Sequence, residues 1–304
     1  MSKDVEKSVW FNFLAGAMAG IIGDMCVHPI DTIKTRLQAR RKQLYKGLID
    51  GFRKILLHEG VGAFYQGFGT VATMTIPAHA LYFGGYEVTK SVLQPSRSDG
   101  DKSLWVYFIS GIVADVCGSI MWVPMDVLKQ RLQMQNNCEM KVQKTRLLLC
   151  SIVKNEGFRG LYRGAVAGLA TYAPYVGMYF VFYEQWKTGV SKWNQKPRNE
   201  IGVIASLTGG FLCGAASAAI TCPLDVIKTN IQVYTTREGG YKNMKTAVRG
   251  LYNQYGWNAF SRGLVARVMW IAPGTAITIA AYEQCKKLDR KICSITKFST
   301  KTKE

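Results

Sequence analysis

The stretch "HPIDTIKTRLQ" (28–38) follows a mostly apolar run and sets a proline, an acid, two bases and a glutamine at its edge. Nearly the same string returns as "VPMDVLKQRLQ" (123–133) and "CPLDVIKTNIQ" (222–232). The prolines at 29, 124 and 223 are 95 and 99 residues apart, and the Tyr-Glu pairs at 86–87, 183–184 and 282–283 are 97 and 99 apart. Between these markers lie "EGVGAFYQG" (59–67), "EGFRGLYRG" (156–164) and "YGWNAFSRG" (255–263). Three markers in one order, three times over, define an internal repeat. The predicted units are 8–103, 104–199 and 200–290, followed by a polar, basic tail at 291–304.

Each unit reads as two apolar segments joined by a polar stretch. The first segments cover about 10–28, 104–123 and 201–222, and the second about 68–86, 165–183 and 264–282. Each approaches the roughly 20 residues that a helix needs to cross a bilayer. Strings such as "GAMAG", "SGIVADVCG" and "GGFLCGAAS" place small residues where helices must approach closely in lipid. A soluble helical array would not need six such long, glycine-rich segments. The linkers inside the units are basic, as in "ARRKQLYKG" (39–47) and "MKVQKTR" (140–146). They also carry amphipathic stretches such as "LIDGFRKILLHEG" (48–60), which predict short helices at the membrane surface. The linkers between units are more balanced in charge, so the positive-inside rule puts the basic linkers on the side where insertion began and both termini opposite.

A net charge of +19 over 304 residues fits nucleic acid, an anionic lipid surface or an anionic solute. The bases recur at fixed places in each third instead of gathering on one face, which argues for membrane topology and against nucleic acid. The eight cysteines show no CxxC and no metal-ligand spacing, so packing thiols are expected and neither a metal nor a cofactor is called for. The start, "MSKDVEKSVW", resembles neither a secretory signal nor an acid-poor transit peptide, which makes targeting internal.

On a helix, Asp31 and Lys34 share a face, and Asp126 with Lys129 and Asp225 with Lys228 repeat the arrangement. Three equivalent units around an axis normal to the membrane let each acid meet a base of the neighbouring unit. Charges near hydrocarbon need such partners. A second set, Glu87 with Lys90, Glu184 with Lys187 and Glu283 with Lys286, lies at the other helix ends, each acid preceded by Tyr86, Tyr183 or Tyr282. Two rings of breakable pairs on opposite faces suit alternating access. Each Pro before an Asp/Lys pair is expected to kink its helix inward.

The pattern P-x-[DE]-x-x-[KR]-x-[KR] followed by [DE]-G-x(4)-[WFY]-[KR]-G resembles the tripartite signature of the mitochondrial carrier family. It is visible as "PIDTIKTR" with "EGVGAFYQG", "PMDVLKQR" with "EGFRGLYRG", and "PLDVIKTN" with "YGWNAFSRG". The resemblance covers about 10 to 290. It implies an all-α membrane protein, with six transmembrane helices in a threefold pseudosymmetric bundle and three short matrix-side helices, in the mitochondrial inner membrane. It implies a transporter, not an enzyme. The Asp/Lys set becomes the matrix gate, braced by Gln38, Gln133 and Gln232, and the Glu/Lys set with its tyrosines becomes the cytoplasmic gate. Cardiolipin is expected near Gly67, Gly164 and Gly263, where helix N-termini offer unpaired amides. Gln66, Asn230 and Tyr255 depart from the signature, which is expected to weaken local contacts or lipid binding and leaves both charge rings intact.

The resemblance also places substrate contacts at Met74 and Thr75, Thr171 and Tyr172, and Trp270 and Ile271. None is charged, which disfavours polyanions. The remaining cavity candidates are Asp24, Asp115 and Arg267, with His79 beside them. "PAHALYFGGYE" (77–87) is similar to the second helix of the mitoferrins, while Asp24, Asp115 and "RVMWI" (267–271) resemble the S-adenosylmethionine carriers. Two acids favour a small cationic or zwitterionic solute, and the resemblance to carriers implies transport by antiport, with uniport left open. Two alternatives stay open: an iron carrier, and a carrier fold kept as a non-transporting subunit of a respiratory complex.

Overall fold

The computed structural model describes residues 3–39, 45–93, 104–135, 144–194, 203–234 and 240–271. Every regular element among them is helical. The long helices are α1 (Lys3–Ala39), α3 (Phe68–Leu93), α4 (Leu104–Gln133), α6 (Ala165–Asn194) and α7 (Val203–Ile220). Shorter helices are α2 (Leu48–Glu59), α5 (Thr145–Glu156), α8 (Cys222–Val233) and α9 (Met244–Tyr255), and α10 covers 264–271. The tail at 291–304 and the residues Tyr282, Glu283 and Lys286 lie outside the described residues.

Each signature segment behaves as one extension of an apolar helix. Pro29 sits inside α1 and Pro124 inside α4, so both helices run on through the charged string. In the third repeat the helix breaks at Thr221 instead, and Pro223 takes the first turn of α8, where its missing amide hydrogen costs nothing. By length and composition, Ile109–Gln133 and Phe158–Trp193 are able to cross a membrane, and so is the pair Thr208–Ile220 and Cys222–Val233 if it forms one span.

The chain divides into two compact units. One comprises Met1–Asp31, Tyr175–Ile220 and Leu264–Glu304. In it α6 packs on α7 through small residues: Trp186 Nε1 donates to Ala205 O at 2.9 Å, and its indole covers Gly209. The tyrosines 175, 179 and 183 stack along α6, with ring centroids 6.4 and 5.8 Å apart.

The other unit comprises Thr32–Pro174 and Thr221–Gly263. Here each repeat builds the same small core, in which the end of the odd helix, the short surface helix and a following 3₁₀ turn bury one apolar cluster. In the first repeat the cluster is Ile33, Ile55, Ala63 and Phe64, and in the second it is Val127, Leu128, Leu132, Leu148, Ile152 and Leu161. The predicted surface helix at 48–60 is α2, which stops at Gly60. The helices α3 and α4 pack closely where Gly85 faces Cys117 and Ala114, and a β-carbon at 85 would lie only 2.8 Å from the Cys117 sulfur. Burial of the thiols is less general than expected: Cys213 and Cys222 are buried, while Cys26 and Cys150 are exposed.

Candidate functional site

The charged strings come together in the second unit. Lys34 of the first repeat pairs with Asp225 of the third at 2.8 Å, both side chains 9% exposed. Lys228 of the third repeat pairs with Asp126 of the second at 2.7 Å. That pair is more open to solvent, at 20% and 26%. Gln38 Nε2 donates to the same Asp225 oxygen that Lys34 engages, at 3.0 Å, and Thr229 Oγ1 donates to Gln38 Oε1. Asp31 is buried on α1, and Lys129 is half-buried on α4.

A second ring, running in the opposite sense, grips helix ends through backbone carbonyls. Arg36 Nε donates to Gln133 O at 2.7 Å, carrying the first repeat onto the second. Arg131 Nε donates to Gln232 O at 3.1 Å, carrying the second onto the third. Asn230 Nδ2 donates to Gln38 O at 2.9 Å and closes the circle. These carbonyls belong to last helical turns, which lack an intrahelical partner, so each grip satisfies a group that would otherwise be orphaned.

The arginines are held from behind. Arg36 makes a two-pronged pair with Glu59 at 2.5 and 2.9 Å, with side-chain exposures of 0% and 5%. Arg131 does the same with Glu156, which Arg163 also reaches. Burial pushes the Glu156 carboxyl upward, but the two arginines outweigh it and hold the group below the usual carboxylate range.

The glycines of the second motif lock the same seam. Gly67 has φ +84, and a β-carbon there would stand 3.0 Å from Lys129 O of the next repeat. Gly164, at φ +77, presses in the same way on Gln232, and Gly263 lies against Gln38. Only glycine meets both demands without strain. Across these three repeats the family model for mitochondrial carrier protein matches residues 5–97, 100–193 and 199–291.

The chain belongs to the mitochondrial carrier family.

Relatives of this carrier span nine-tenths or more of its length. It is 43% identical over 299 residues to mitochondrial substrate carrier family protein E of Dictyostelium discoideum, covering 95% of this chain and 98% of that one. It is 35% identical to mitochondrial RNA-splicing protein MRS4 of Saccharomyces cerevisiae, covering 90% and 89%. Mitoferrin of Caenorhabditis briggsae is 31% identical, covering 92% of each chain. Membership makes this a transport protein of small solutes in the mitochondrial inner membrane, and the family is one of transporters, not enzymes.

The other sequence-predicted residues of this carrier are placed more variously. Glu184 pairs with Lys187 of its own helix at 2.6 Å, and Lys187 lies over the Tyr183 ring at 4.9 Å. Lys90 lies 5.9 Å from the Tyr86 ring, and Glu87 is exposed. Thr75 and Thr171 are buried and donate to Val71 O and Ala167 O of their own helices. Met74 packs against the cluster of the second repeat. Tyr172, by contrast, is 60% exposed. Asp24 is half-buried on α1, as are Trp270 and Ile271 on α10, where Arg267 is buried. Gln133 exchanges hydrogen bonds with Thr32 and Thr35, and Gln232 contributes its backbone carbonyl to the Arg131 grip. His79 places Nδ1 2.9 Å from Thr75 O.

Asn230 and Tyr255 are a single joint departure. Asn230 keeps the carbonyl grip that arginine makes elsewhere, so the expected weakening does not extend to that contact. Without a guanidinium at 230 there is one buried charge fewer for an acid to balance, and Tyr255 stacks under Arg262 at 3.9 Å. Asn230→Arg alone therefore buries an unmatched charge and destabilises the carrier, whereas adding Tyr255→Glu restores the arrangement of the second repeat. A double-mutant cycle on thermal unfolding is expected to give a favourable coupling of about 2 kcal/mol. Additive effects refute the linkage.

Proposed function

We propose that this carrier moves a small cationic or zwitterionic solute of the S-adenosylmethionine type across six membrane spans by alternating access. The Asp/Lys ring is the matrix gate, the Glu/Lys set is the cytoplasmic gate, and both termini face the intermembrane space. The observation that carries the reading is the pairing of Lys34 with Asp225 and Lys228 with Asp126 between repeats. Such bonds close one face and are broken by moving repeats apart, which is what a gate requires. Uncharged residues at the six contact positions and a carboxylate at Asp115 support a solute that carries positive charge. Cardiolipin held near Gly67, Gly164 and Gly263 completes the reading.

The test is uptake by the purified protein in cardiolipin liposomes, across labelled S-adenosylmethionine, other organic cations, amino acids, ferrous iron and dicarboxylates. Uptake of an organic cation or zwitterion, abolished by Lys129→Ala, is expected. Uptake of iron alone assigns the chain to the iron reading suggested by the mitoferrin relative. No uptake of any solute, together with co-purification with a respiratory complex, establishes the non-transporting alternative.

A further inference from the structure

We propose that His79, Tyr82 and Trp122 wall a binding site for an organic cation whose charge is met by the Asp115 carboxylate. Asp115, Ser119, Trp122 and Asp126 follow one another at i, i+4, i+7 and i+11 and so share one face of α4. That face looks toward the other repeats, because Asp126 reaches Lys228 from it. Asp115 lies three turns, or ~16 Å, along the helix from that ion pair.

Opposite it, Thr75, His79, Tyr82 and Tyr86 form the equivalent stripe on α3. The two stripes meet in an aromatic cluster. The Trp122 indole lies 5.5 Å from the Tyr82 ring and 5.7 Å, edge to face, from the His79 ring. The His79 ring is held by Thr75 O and by Phe83, so it serves as part of the wall.

A carboxylate that shares a helix face with a cluster of aromatic rings favours one kind of ligand. Indole and phenol rings attract cations through their negative faces, most strongly when the cation sheds its water cheaply. A bare metal ion does not shed it cheaply, and among the described residues no group of three or more His, Cys, Asp or Glu offers replacement ligands. A methylated ammonium or a sulfonium is weakly hydrated and large enough to touch several rings. The site therefore takes soft organic cations in preference to inorganic ones.

This inference rests on the proposed transport reading only for its solute class, and a binding assay separates the two. The purified full-length carrier is unfolded thermally in the presence of choline, tetramethylammonium or S-adenosylmethionine. Potassium chloride and 3,3-dimethyl-1-butanol, the neutral isostere of choline, serve as the paired controls. The organic cations are expected to raise the unfolding midpoint and the controls are not. Asp115→Asn and Trp122→Leu each raise the half-maximal cation concentration at least about tenfold, and Trp122→Phe recovers most of the loss because it keeps a ring. An equal response to choline and its isostere overturns the proposal, as does undiminished response in Asp115→Asn with parental stability. Persistent cation shifts without uptake in liposomes leave the site standing and remove the transport reading. Uptake of an anion without cation shifts removes the site.

Discussion

Replacing Arg36 by alanine lowers the unfolding midpoint of the purified carrier by roughly 5–15 °C. The side chain is fully buried and ties three segments together. It grips Gln133 O, reaches Gln135 O at 3.0 Å and pairs with both oxygens of Glu59. Removing it takes the cation away from the nearly buried Glu59 carboxylate and a hydrogen bond away from each of two carbonyls. Breaking a buried pair from one side costs about 3–5 kcal/mol, far more than the pair contributes relative to an apolar substitute. Glu59→Gln provides the contrast, because the amide oxygen still accepts from Arg36 while the charge is lost. Its effect is expected to be smaller than that of Arg36→Ala. Midpoints for both variants within 2 °C of the parent, read by thermal unfolding, refute the assignment.

The second large effect falls on transport. Lys34→Ala leaves buried Asp225 without its lysine, and uptake is expected to fall at least about tenfold. The loss arises because a gate state weakened by about 3 kcal/mol is depopulated by two orders of magnitude. Exchanging the charges, Lys34→Asp with Asp225→Lys, restores part of the rate. Recovery is incomplete for a definite reason: Gln38 now donates to residue 225, and a lysine there requires its amide to turn over, against the hydrogen bond from Thr229. Initial uptake rates for the two singles and the double decide it. A double no faster than the slower single shows that this pair is not a gate contact.

The repeat itself was legible from "HPIDTIKTRLQ" and its two copies, because helical spacing alone puts Asp31 with Lys34 on one face. The direction of pairing was not. Lys34 joins Asp225 across 191 positions of chain, and Gln38 and Asn230 meet across 192, distances at which no periodicity operates. The carbonyl grips were equally hidden, since a backbone acceptor carries no residue identity. One signal was available and unused. The third repeat lacks a base at 230 and an acid at 255 together, which is the mark of a pair. Gly67 and Gly164 were read from the family signature as lipid contacts, and their close approach to the next repeat emerges only from packing. Trp122 and Tyr82 looked like ordinary apolar residues of two helices, and their meeting depends on how α3 and α4 cross.

The asymmetry of the ring bears on how the carrier responds to its ionic surroundings. Dissolved salt acts on charges that water can reach, over a Debye length of about 8 Å at physiological strength. The Lys228–Asp126 joint is partly open to solvent, the Lys34–Asp225 joint is nearly sealed, and the Asn230 grip carries no net charge at all. Two seams of one repeated pattern thus differ in chemistry, the third repeat meeting the first through a sealed ion pair and an uncharged grip and the second through an open ion pair. Ionic strength loosens the open pair, barely touches the sealed one and passes over the grip, so of these two seams the one between the second and third repeats yields first.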